Sequence, residues 1–176
     1  MTISLPELQR ALRVTITTLA LAGITCSPSF AAPAFVQLNY GTESPARSVA
    51  VTMAKPQGAG NLNVVAVGWY NSTSSVVSVA DSAGNAYRQA SPPTILSGVA
   101  TQVIYYAENI RAVAAGANTV TVILTADAQY VDVRVAEYSG LATSGALDRI
   151  AGGTGTGALT TSGQIVTTNA NDLLIG

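Results

Sequence analysis

The stretch "NTVTVILTADAQYVDVRVAEYSGL", Asn118 to Leu141, decides the fold. Its first part predicts a strand over 118–125, with Val120, Val122 and Leu124 on one face and Thr119, Thr121, Ile123 and Thr125 on the other. That is the period-two alternation of a pleated backbone, and its Thr and Val content suits such a surface. The second part predicts another strand over 130–138. Val131, Val133 and Val135 form its apolar face, while Tyr130, Asp132, Arg134, Ala136 and Tyr138 form a half-polar one. Asp132 and Arg134 are two positions apart, share that face and are placed to pair, a contact worth under about 1 kcal/mol on a solvated surface. Glu137 is the exception, because it carries the parity of the valines. A lone buried carboxylate is costly, so Glu137 is expected either at the strand's frayed end beside Ser139-Gly140 or buried against hydrogen-bond donors, capping loop amides.

Outward from this stretch the same alternation runs through most of the chain, with strands predicted at 35–39, 47–54, 62–70, 75–81, 86–90, 101–107, 163–168 and 172–175. Turn signals separate them: "KPQGAGN" (55–61), "DSAGNAY" (81–87), "SPPTILSG" (91–98), "AAGAN" (114–118) and "AGGTGTGALTTSG" (151–163). Gly and Asn accept positive φ and Pro presets a turn, so each signal has a mechanism. "GGTGTG" lacks the Lys and the following helix of a phosphate-binding loop. Helical periodicity nowhere persists, and the expected fold is all-β, a two-sheet β-sandwich of jelly-roll or immunoglobulin-like kind.

The first 31 residues read differently. Arg10 and Arg13 precede the uncharged run "VTITTLALAGIT", and Ser29 and Ala31 stand where a secretory signal is cut. Residues 1–31 are therefore expected to be a signal peptide and 32–176 one β-sandwich domain, secreted or held at the cell surface. The apolar run is too short to span a bilayer, so no membrane span is expected after cleavage. The sequence stops directly after "LLIG", which reads either as a closing edge strand or as a domain truncated at its C-terminus.

Removing that segment takes Arg10, Arg13 and Glu7, leaving six basic and eight acidic side chains. No basic patch for nucleic acid follows from such a balance. The chain has no His, and its one Cys, Cys26, falls in the signal. Triads using His, Cys nucleophiles and His or Cys metal sites are thereby excluded, which leaves a hard cation such as Ca²⁺ as the metal to consider. Asp81 and Asn85 in "DSAGN" are its candidate ligands, against the simpler reading that Asp81 accepts backbone N–H groups in a hairpin turn.

Glycoside hydrolysis needs two carboxyl groups between about 5 and 9.5 Å apart. Asp132 and Glu137 point to opposite faces, about 17 Å apart along a regular strand at 3.3 Å per residue. No catalytic residue is expected, and a glycoside hydrolase is the least favoured alternative. Aromatic rings suit binding better, since exposed Tyr and Trp form flat platforms for sugars. Trp69 shares a face with Val65 and Val67 and is expected in the core. The candidate ligand-binding residues are Tyr70, Tyr87, Tyr106, Tyr130 and Tyr138, with Asp132 and Arg134.

"AFVQLN", "GNLNVVAVGWYNSTSSVVSVADSAGNAY", "QVIYYAENI", "GANTVTVIL" and "VDVRVAEYSGL" together resemble a bacterial exported β-sandwich module over roughly Phe35 to Gly176. That module occurs alone or beside immunoglobulin-like and fibronectin-type-III-like modules in large surface proteins. The resemblance implies export and a sandwich, and carries over no catalytic residue. Two functions follow as expectations. One is a non-catalytic binding module, adhesin-like or carbohydrate-binding, with a glycan or surface protein as ligand. The other is a structural subunit of a surface array or filament that self-associates through an open sheet edge near Asp172 to Gly176.

Overall fold

The computed structural model describes residues 32–155, 157 and 161–176; the signal-peptide reading of residues 1–31 lies outside them. Eight strands follow in order: β1 (Ala34–Glu43), β2 (Ala46–Thr52), β3 (Leu62–Tyr70), β4 (Val76–Asp81), β5 (Arg88–Gln89), β6 (Thr94–Leu96), β7 (Ala100–Ala107) and β8 (Thr119–Ser139). The fold is all-β, every ladder is antiparallel, and no helix occurs among the described residues.

The two strands predicted around 118–138 are one strand, β8, 21 residues long. Its first half lies between β2 and β4, and its second half between β1 and β3, with the sheet continuing through β7 to β5 and β6. Burial along β8 explains how one strand serves both halves. Val120, Val122, Leu124 and Ala128 are buried at even positions, whereas Val131, Val133, Val135 and Glu137 are buried at odd ones. Between the two sets Tyr130 adopts a left-handed backbone, φ 52°. Opposite β3 the register gains one residue there, since Gly68 pairs with Asp132 but Tyr70 with Gln129. A one-residue bulge flips every later side chain to the other face, so both halves of β8 send their valines into the same interior. Ser44 fastens this corner, its hydroxyl accepting from Tyr130 N at 3.0 Å and donating to Gln129 Oε1 at 2.8 Å.

The core cluster joins Val49, Val51 and Met53 to Val65, Val67 and Trp69, to Val103 and to both valine sets of β8. Each fully buried aliphatic side chain contributes about 1.5–3 kcal/mol relative to exposure. β1 approaches β2 closely across this interior. A Cβ at Gly41 would lie 3.0 Å from Val49 Cγ1 and 3.2 Å from Ala50 O, so the strand needs glycine there.

Two predicted elements are corrected. Residues 163–168 and 172–175 form no strand, because their backbone finds no partner strand; residues from Leu141 onward instead run across the outer face of the β3–β7 region, beside Leu62, Val64, Ile104 and Tyr106. The turn read at 91–98 contains strand β6, which pairs with β7. The expected open edge also moves: Asp172 to Gly176 border no strand, while β1, β2 and β4 each pair on one side only, with β8.

Candidate binding face

The outward face of β8's second half carries Asp132, Arg134, Ala136 and Tyr138, and the register brings matching residues beside them. Tyr40 of β1 lies opposite Arg134, Thr42 opposite Asp132 and Phe35 opposite Tyr138. Arg134 donates from Nε and Nη2 to the Asp132 carboxylate at 3.0–3.3 Å, and the Tyr40 ring centroid is 6.0 Å from its guanidinium carbon. The hydrogen bond to Asp132 raises the Arg134 pKa above its ordinary value. Phe35 and Tyr138 meet edge to face at 5.8 Å, a preferred aromatic geometry.

Tyr70 and Tyr130 close the other end of this strip, 53% and 72% exposed, with ring centroids 6.2 Å apart and planes at 84°. Tyr130 reaches this position through its left-handed backbone, which sets its ring against Tyr70. On the β3 side the strip borders a trough. Ala66 lies opposite Arg134 and Gly68 opposite Asp132, with Gln102 of β7 beyond Gly68. A Cβ at Gly68 would meet only Thr101 O at 4.0 Å, so the space above it is open. Rings, a planar ion pair and an amide therefore surround a small-residue floor. Such a surface can stack on the apolar face of a sugar ring and hydrogen-bond its hydroxyls.

The strip gathers Tyr70, Tyr130, Tyr138, Asp132 and Arg134 on one face. Two other candidates lie elsewhere. Tyr106, half-buried, lines the space under the segment that follows Leu141. Tyr87 packs against the core, and burial pushes its phenol well above the ordinary value near 10. Its hydroxyl donates to Asp81 Oδ2 at 3.0 Å and accepts from Asn63 Nδ2 at 3.1 Å, so it is no surface platform.

Asp81 and Asn85 belong to that same interior network. Asp81 accepts from Asn85 N at 2.9 Å, Asn85 Nδ2 at 2.7 Å, Tyr87 Oη at 3.0 Å and Asn118 Nδ2 at 3.0 Å. Asn85 Oδ1 accepts from Arg111 N at 2.9 Å. A cation at this place would have to displace these donors; only one of the four is a backbone N–H, and β4 and β5 pair with different strands, so the turn between them is not that of a hairpin. No group of three or more His, Cys, Asp or Glu side chains converges among the described residues.

Glu137 is fully buried and faces three donors: Gly58 N at 2.9 Å and Asn61 Nδ2 at 2.6 Å on Oε1, and Gln37 Nε2 at 2.7 Å on Oε2. Lys55 N donates to Gln37 Oε1 at 2.9 Å, which fixes which way the Gln37 amide points. Glu137 thus pins the 55–61 loop to the sheet, the amide-capping alternative for this residue. A second buried chain continues from it, Gln57 to Asn63 at 2.8 Å and Asn118 to Gln57 at 2.6 Å. Asp132 and Glu137 lie on opposite faces of the sheet, so they form no carboxylate pair.

Sequence reasoning passed over Tyr40 and Phe35, because their role depends on the β1–β8 register. The signal available was Tyr40 itself, a ring directly after a predicted strand. No protein-family model matches the chain, and no curated protein or solved structure matches it.

Proposed function

We propose that this chain is a non-catalytic binding module of a secreted or cell-surface protein, built as a β-sandwich, and that its ligand is a glycan held on the strip from Phe35 and Tyr138 to Tyr70 and Tyr130. The observation that carries this reading is the open space above Gly68, with Asp132 beside it on β8, Gln102 on β7 and the Arg134–Tyr40 contact further along the strip. Exposed rings beside a desolvatable ion pair and a small-residue floor suit a sugar better than a charged polymer, and the chain offers few cations for a nucleic acid. The sandwich reading is supported by the single core that draws on both halves of β8 and by the close passage of β1 over β2. Export rests on the leader-like residues 1–31 and on the resemblance to exported modules.

The test is a glycan array and polysaccharide pull-down with the chain from Ala32 onward, repeated with Tyr40→Ala and Gly68→Gln. Binding by the parent chain that falls by about tenfold or more in both variants, with unchanged thermal unfolding, is the expected result; ring stacking alone is worth about 0.5–1.5 kcal/mol beyond area burial. Unaltered binding in both variants, or no glycan bound by the parent chain, overturns it.

A second reading has its own observation. β1 has a free edge over ten residues and exposes Phe35, Leu38 and Tyr40 beside it. Such an edge can pair with another chain. Asn39 Oδ1 takes the Tyr40 N–H at 3.0 Å and blunts that edge at its middle, which favours the binding module. Concentration-dependent polymers in light scattering, without glycan binding, would reverse the order.

A further inference from the structure

The free edges of β1, β2 and β4 are not alike. On β2, Met53 N donates toward β8, to Asn118 O, so by alternation Thr52 and Ala50 turn their carbonyls to the free side. β1 covers both: Asn39 Nδ2 donates to Thr52 O at 2.6 Å, and a Cβ at Gly41 would lie 3.2 Å from Ala50 O. β1 itself is blunted where Asn39 Oδ1 takes the Tyr40 N–H. β4 has no such cover. Its bulge lies at its start, between Val76 and Ser78, and Ser78–Asp81 then run in regular register against β8. Ser82 N donates to Thr119 O, which by the same alternation turns the N–H and C=O of Val79 to the free side, where they have no partner among the described residues. Val77 and Ala80 are exposed on this strand, and none of its residues is fully buried.

The same chain carries a strand-forming run without a ladder. Gln164–Thr168, "QIVTT", is uncharged, has no Gly or Pro, and is β-branched at four of its five positions, which favours a pleated backbone. It lies in no strand, and from Leu141 onward no backbone-to-backbone hydrogen bond forms among the described residues. Within the run only Thr168 N finds an acceptor there, Asp148 Oδ2 at 2.7 Å. Val166 is 82% exposed. An extended segment with unpaired amides and outward aliphatic side chains is what a sheet edge accepts as an added strand.

We propose that Gln164–Thr168 of one copy of this chain adds as a strand to the β4 edge of a second copy. A second copy is required because donor and acceptor lie apart on the molecule: Ile165 and Thr167 border Ile104 and Tyr106 over the β3–β7 region, whereas β4 belongs to the end formed with β2 and the first half of β8. Each copy thus offers one donor and one edge at separate places. The contact is head-to-tail, and its repetition builds open chains rather than a closed pair. Asp81 is the only charged residue in either segment, so no like charges oppose each other. Neither segment touches the strip between Phe35 and Tyr70, and the inference stands or falls independently of the glycan reading.

The experiment is sedimentation equilibrium with light scattering on the chain from Ala32 onward, up to about 1 mM. The expected result is an average mass that rises continuously with concentration. Val166→Pro removes a donor N–H, and the double variant Val77→Lys, Ala80→Lys places charges on the edge. All three positions are exposed, so thermal unfolding should be unchanged while self-association weakens by about tenfold or more in each variant. Mixed one to one, the two variants should form heterodimers that grow no further, since one keeps only the edge and the other only the donor. A parent chain that stays monomeric, a mass that stops at the dimer, variants that associate like the parent, or a mixture that stays monomeric overturns the inference.

Discussion

Two acids five positions apart on β8 have opposite circumstances. Asp132 faces outward, paired with Arg134 in a contact where the arginine side chain is 60% exposed. Glu137 faces inward, fully buried, with no Lys or Arg within 4 Å among the described residues and three N–H donors on its two oxygens. Charge type does not separate them; parity does. The outward acid is solvated and gains little from its partner, whereas the buried one is held by Gly58 N and Asn61 Nδ2 of the loop and by Gln37 of β1. Formal ion pairs are thus a poor guide to what stabilises this sheet, and hydrogen-bond donors are a better one.

The sharpest way to break the comparison is to truncate each acid. Glu137→Ala removes a buried acceptor of three hydrogen bonds and opens a cavity, so chemical unfolding should show a loss of about 3–5 kcal/mol. Glu137→Gln refines this. Gln37 cannot turn its amide, because Lys55 N holds its oxygen, so the new amide would set a donor against Gln37 Nε2. A cost of about 1–3 kcal/mol is expected, and a neutral outcome would contradict the assigned bonding.

Next in size is an alkaline effect from the interior network. Tyr87 has a raised pKa when folded, chiefly through burial, so the folded chain keeps a proton that the unfolded chain releases near pH 10. Its stability contribution is complete below that pH and is lost as pH rises above it. Thermal melts between pH 8 and 11 should fall at the upper end, and Tyr87→Phe should flatten that fall while lowering stability at neutral pH. The smallest effect belongs to Asp132→Ala, which should change unfolding by under about 1 kcal/mol at low salt and less at high salt. A large loss there would mean that the outer strip is structural.

β3 was legible residue for residue, because Val65, Val67 and Trp69 alternate with Ala66 and Gly68 and the strand sits between two partner strands. The valine faces of β8 were legible for the same reason, yet its continuity was not. Alternation breaks between Ala128 and Val131, and a break in phase looks like the end of a strand when a left-handed Tyr130 cannot be seen. The apolar pairs Ile165-Val166 and Leu174-Ile175 suggest strands, but a strand exists only where a partner offers its hydrogen bonds. Of the candidate face, Asp132, Arg134, Tyr130 and Tyr70 could be read locally. Tyr40 could not, and neither could the chain from Gln57 through Asn118, whose members are 61 residues apart. Amides read as turn formers by local rules become core residues only through such distant pairing.

The dependence of β1, β2 and β4 on β8 also governs the order in which this molecule can be made. Ala34 waits for Ser139 and Thr52 for Thr119, so three early strands have no ladder until the last one has emerged. Closing contacts over such separations is slow, in the millisecond-to-second regime of sheet proteins dominated by non-local pairing. During synthesis β1, β2 and β4 therefore wait as unpaired, aggregation-prone strands, while β3, β5 and β6 can already pair with β7. The sheet is completed only when Thr119 to Ser139 arrives, and a chain interrupted before that point has no ladder for β1, β2 or β4.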